Sequence, residues 1–135
     1  MSAGEFRLLQ GATTRASLKM RDGQPELALL DERGRERMRA ALDGAARPSV
    51  TLAGPEGEPR VVIEVDVKGS HVLLRGPAKQ ESYLFQRTDG TSGVVLVGPN
   101  GAHRGEIKLT KEGVVDVTLF DRDGKPVTEF VVPKP

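Results

Sequence analysis

The stretch Asp31-Glu-Arg-Gly34-Arg-Glu-Arg37 decides the fold, because it recurs. Laid beneath it, Gly54-Pro-Glu-Gly57-Glu-Pro-Arg60, Gly76-Pro-Ala-Lys79-Gln-Glu-Ser82, Gly98-Pro-Asn-Gly101-Ala-His-Arg104 and Asp121-Arg-Asp-Gly124-Lys-Pro-Val127 keep one turn position in step. That position falls at 34, 57, 79, 101 and 124, at spacings of 23, 22, 22 and 23. Arg follows three residues later at 37, 60 and 104, and Arg15 stands one period before Arg37. Self-similarity at a fixed period marks a repeat architecture. A second punctuation lies midway: Asp22-Gly23, Asp43-Gly44, Lys68-Gly69, Asp89-Gly90 and Glu112-Gly113. Two turn signals per period mean two strands per period, so the unit is a β-hairpin.

Between the turns, side chains alternate with a period of two, as half-buried strands require. Val61, Ile63, Val65 and Val67 oppose Arg60, Glu64 and Asp66, with Val62 the exception. Ile107 and Leu109 oppose Glu106 and Lys108, while Val115, Val117 and Leu119 oppose Asp116 and Thr118. Val, Leu and Thr suit a pleated surface. Gly34, Gly57, Gly101 and Gly124 are expected to supply positive φ at equivalent turn positions. Lys79 then either carries the same strain or sits in a differently shaped turn. One stretch competes: Leu27, Leu30, Met38 and Leu42 fit a helical stripe over 26–46. Gly34 would sit inside that helix at a cost of about 1 kcal/mol relative to Ala, and the repeat register demands strand there. The reading is eleven or twelve short strands in one all-β domain over 1–135, a repetitive antiparallel hairpin meander.

Composition narrows the function classes. The chain has 135 residues, no Cys, 20 Lys+Arg against 19 Asp+Glu, and a net charge of +1. No disulfide scaffold, thiolate metal site or Cys nucleophile is available. Near-neutral charge argues against nucleic-acid or membrane-surface binding by bulk electrostatics. Apolar runs reach only four or five residues, so no span of a bilayer is expected. The opening Met1–Phe6 holds no hydrophobic targeting segment, which makes a cytoplasmic location the default expectation. The ending Val132–Pro135 reads as a frayed tail or as the cut edge of a longer chain.

The strands punctuated by D-x-x-G-x-x-R and D-G-x-P resemble a class of bacterial β-hairpin repeat proteins. Their units of twenty-odd residues run as L-x-L-x-D-x-x-G-x-x-R-x-x-L … D-G-x-P. Asp31–Arg37 carries the full turn motif; the Gly57 and Gly101 copies have Gly in place of Asp, and the Lys79 copy lacks both Gly and Arg. The resemblance spans most of the chain. It implies an assembly or surface-appendage module rather than an enzyme, and a homotrimer ahead of a dimer.

Candidate sites are few. Asp121-Arg-Asp123-Gly124 looks like part of a calcium loop, but loop positions 1 and 12 would be Leu119 and Phe130, which cannot ligate. A tight turn with Asp bonded to nearby backbone is the simpler reading. His71 and His103 lie near turns and read as surface residues; a zinc site would need Glu81 or Glu106, without supporting spacing. Gly69-Ser70-His71 and Thr91-Ser92-Gly93 are turn compositions, not nucleophile motifs. Glu64 and Asp66 share a polar strand face. Five of thirteen Arg fall within fifteen residues. Of these, Arg35, Arg37 and Arg39 would line one strand face and, with Arg33, form a candidate anion or partner site. A solvated face with cross-strand Arg–Glu pairs, or an edge strand charged against sheet extension, is the alternative.

Two architectures accommodate such a meander: a closed barrel with a lumen, or an open sheet or prism completed by self-association. Five aromatics make a poor pocket lining, whereas repeats bury their apolar face by stacking. The expected function is therefore a non-catalytic structural or interaction module that binds copies of itself, without cofactor or metal. The alternative is a small barrel or sandwich that binds a small ligand or glycan.

Overall fold

A computed structural model describes residues 4–127; the tail Val132–Pro135 lies outside them. Eleven strands follow one another: β1 (Glu5–Gln10), β2 (Thr13–Arg21), β3 (Gln24–Leu30), β4 (Glu36–Leu42), β5 (Pro48–Ala53), β6 (Pro59–Asp66), β7 (Gly69–Arg75), β8 (Glu81–Arg87), β9 (Ser92–Val97), β10 (His103–Leu109) and β11 (Val115–Leu119). Each pairs antiparallel with its neighbours in sequence, so the sheet order is the chain order from β1 to β11. β1 and β11 are its two edges. The sheet is open and single-layered, with no α-helix among the described residues. The strand reading of 26–46 holds, as β3 and β4. The barrel and sandwich alternatives fail for the single chain, because its edge strands do not meet and the described residues form no second layer.

The turns explain the period. At 31–35, 54–58 and 121–125 the first residue's N–H donates to the fifth residue's carbonyl at 2.8–2.9 Å, and the fourth residue's N–H returns to the first carbonyl at 3.0–3.1 Å. This is a type I turn followed by a left-handed residue. Gly34, Gly57 and Gly124 hold that residue, at φ 74°, 87° and 79°. Lys79 carries φ 64° with Ala78 at 52° beside it, and Gly101 carries φ 77° with Asn100 at 63°, so these two turns share a second shape, strained at Lys79. The midway punctuation needs one correction. In the turn 43–47 the left-handed residue is Ala46, at φ 58°, not Gly44. Two-residue loops close β2–β3 at Asp22-Gly23 and β6–β7 at Val67-Lys68.

Asp opens several turns because its carboxylate caps them. Asp31 Oδ1 accepts from the N–H groups of Arg33 and Arg35 at 2.9 and 3.0 Å, and Asp43 Oδ1 from those of Ala45 and Arg47 at the same distances. Asp121 does the same for Asp123 and Lys125, both at 2.9 Å, which is the tight-turn geometry expected there.

The recurring Arg has a structural reason that periodicity alone does not reveal. The sheet has four register shifts, and the residues passed over are Arg15, Arg37, Arg60 and Arg104. Each is a β-bulge on the same side of the sheet, one strand entry after a turn. Three of these side chains reach across to the next turn on that side. Arg37 donates to the Ala53 carbonyl at 3.2 Å, Arg60 to that of Arg75 at 3.4 Å, and Arg104 to those of Asp121 and Arg122 at 2.5 and 3.2 Å. The Lys79 copy has Ser82 at this position, and β7–β8 pair without a shift.

Candidate functional site

Cross-strand register sorts the side chains onto two unlike faces, since opposed residues share a face. One row runs Phe6, Leu18, Leu27, Ala40, Val50, Ile63, Val72, Leu84, Val94, Ile107 and Val117, one residue from each strand. None is polar. The adjacent row runs from Leu8 through Leu29, Met38, Leu52, Val61, Leu74 and Leu96 to Leu119, interrupted only by the small residues Ala16, Ser82 and Gly105. On the other side, Val65, Leu109 and Val115 extend the strip, diluted by Ser70, Gln86 and Ser92.

None of the described residues covers this strip. Phe6, Leu8, Leu84 and Ile107 remain 64%, 65%, 53% and 54% exposed. The chain's accessible surface is 9752 Å², whereas a compact monomer of 14.5 kDa would expose about 6,900 Å². Exposed apolar patches beyond a few hundred Å² mark interaction sites. This one crosses the whole molecule.

The opposite face carries most of the charged side chains together with a short apolar row, Val62, Leu73, Tyr83 and Val95, and it is the better covered of the two. Glycines aside, the buried residues among those described are Ser17, Glu26, Ala28 and Phe85, and all four sit there. Glu26 is 3% exposed; its Oε1 lies 3.0 Å from Arg21 Nη2 without a directed hydrogen bond, and Arg39 Nη1 lies 3.9 Å from its Oε2. The attraction there is Coulombic and does not depend on hydrogen-bond angle. Phe85 faces Gly93 across β8–β9 and lays its ring over it, where a Cβ would collide with Ile107 backbone.

The sequence-derived sites fall as follows. Arg33, Arg35, Arg37 and Arg39 do not form one guanidinium row, because the bulge at Arg37 interrupts the alternation. Arg35 Nε donates to Asp31 at 3.0 Å, Arg37 to the Ala53 carbonyl, and Arg39 lies between Glu26 and Glu36. Arg33 is exposed in its turn. Two turn carboxylates, Asp31 and Asp43, titrate low. Asp31 lies below its ordinary value, chiefly through the Arg35 backbone N–H, and Asp43 drops to about 2, chiefly through the Arg47 guanidinium.

His71 is not the open surface residue its sequence position suggested. Its side chain is 11% exposed, with Nε2 2.9 Å from Glu64 Oε1 and 4.0 Å from Asp66. Tyr83 packs against it at 5.7 Å between ring centroids, stacks on Phe85 at 5.6 Å, and the Arg87 guanidinium sits 5.2 Å above Phe85. Burial pushes the Tyr83 phenol up. Folding the chain at Val67-Lys68 would have placed Glu64 opposite His71; the Tyr83 and Phe85 partners need the register of a third strand. His103 is 44% exposed, on β10. Among the described residues no three His, Asp or Glu gather to hold a metal, and no helix is long and apolar enough to cross a membrane. Against known proteins, no family model and no curated protein matches the chain.

Proposed function

We propose that this chain is a non-catalytic structural module that works by self-association through its apolar sheet face. The observation that carries the reading is the unbroken row from Phe6 to Val117, apolar on all eleven strands and left uncovered by the described residues. A two-faced single sheet needs a second layer, because layered domains bury one apolar face against another. A second copy supplies an identical strip. The long cationic and anionic side chains of the other face already pair among themselves, as Arg21 with Glu26 and Lys108 with Glu106 do, which makes that face the outer one.

The test is mass by sedimentation velocity at micromolar concentration. The wild-type chain sediments as an oligomer. Ile63→Lys in the central row and Val117→Lys at its end shift it to the monomer, whereas Thr51→Lys on the polar face does not. A monomeric wild type, or central-row variants that keep the wild-type mass, would overturn the proposal.

A further inference from the structure

We propose that three copies close their apolar faces into a triangular prism, with strands running across each side and the eleven strands stacked along the axis. This rests on the reading that copies of the chain cover the face, and it specifies how many. Three positions on each strand face this side, all apolar on β6, as Val61, Ile63 and Val65, and on β11, as Val115, Val117 and Leu119, with Ser70, Gln86 and Ser92 at the third position on β7–β9. Three alternate positions span five residues, about 17 Å at ~3.3 Å per residue. The axis of an equilateral prism with ~17 Å sides lies about 5 Å from each side, half the ~10 Å that separates packed sheets. Side chains of the size of Ile63 and Leu84 therefore fill the centre. Four copies with the same sides would put the axis about 8.5 Å away and leave an apolar channel full of water, which the hydrophobic effect opposes.

Two copies also satisfy the ~10 Å spacing, but they leave a seam open along each row of turns. The flanking row is mostly apolar too, with Leu29, Leu52, Leu74 and Leu96 at 40–49% exposure, and it would line one of those seams. A third sheet closes both. Each side of the prism meets its neighbours at the turn rows, and the polar faces point outward on all three sides.

Light-scattering mass across micromolar concentrations is the deciding measurement, and the expected value is three times 14.5 kDa. A mass of two, or of four or more, copies would overturn the prism and leave association through the apolar face standing. A monomeric mass would overturn both readings. Leu96→Lys on the flanking row provides the second arm: it weakens the trimer at least tenfold, because that side chain is enclosed at a corner. A Leu96→Lys chain with undiminished association would overturn the closed corner, since an open seam tolerates the charge.

Discussion

Ala46 and Lys79 occupy the turn position that Gly34, Gly57, Gly101 and Gly124 fill elsewhere, and they pay no attention to the difference in their side chains: φ is 58° and 64° against 74° to 87°. A Cβ in the left-handed region costs roughly 1 kcal/mol or more. Gly removes that cost but adds unfolded-state entropy. Lys79→Gly and Ala46→Gly are therefore each expected to stabilise by about 0.5 kcal/mol, the strain relieved less the entropy restored. The reverse change, Gly101→Val, destabilises by more than about 1 kcal/mol. Urea denaturation of the three variants checks this, and a Lys79→Gly chain weaker than wild type would remove the strain argument. A carboxylate in the same turns carries a pH signature. The folded-state value of Asp43 is lowered to about 2 by Arg47, below the unfolded value of about 3.9. A depressed carboxylate stabilises the fold fully above its unfolded value, and that contribution fades as pH falls through the folded one. Carboxyl titration of Asp43 followed by NMR should show its midpoint near 2, and a midpoint at the ordinary value would sink the Arg47 capping.

Hairpins are the elements in which the sequence was easiest and hardest to read. Alternation placed Ile63, Ile107 and Val117 on one face and Glu64, Lys108 and Asp116 on the other, because each is a local property of one strand. Turn glycines announced the loops for the same reason. The bulges were different. Arg37, Arg60 and Arg104 were visible as a repeat, but their role depends on a carbonyl in the following hairpin, which spacing within one strand does not encode. The expected Arg35–Arg37–Arg39 row was lost at that point. Gly44 misled because Asp-Gly signals a tight two-residue loop, whereas the turn closed over three residues and placed Ala46 in the strained position. The strap itself is testable. Arg104 donates to two carbonyls of the 121–125 turn, so Arg104→Ala should lower stability by about 1–2 kcal/mol. Arg122→Ala in the turn should change it little. Equal effects from the two would mean that Arg104 acts only through its charge.

At the scale of the whole molecule, the sheet has no interior of its own. Ala28 and Phe85 are the only apolar residues buried among those described, and both lie on the charged face. A folded domain keeps a net stability of about 5–15 kcal/mol only because apolar burial offsets a chain-entropy cost of order 100 kcal/mol. An isolated sheet with its apolar strip in water forgoes most of that burial. Folding and association are then one equilibrium, and the stability of such a protein is inseparable from its concentration. Thermal unfolding of the wild-type chain should therefore shift to higher temperature as protein concentration rises over a hundredfold range. Ile63→Lys should abolish the dependence together with the transition, whereas Thr51→Lys on the opposite face should keep both. A sharp transition whose midpoint ignores concentration would mean that the single sheet is stable alone, and the uncovered strip would then need a different occupant.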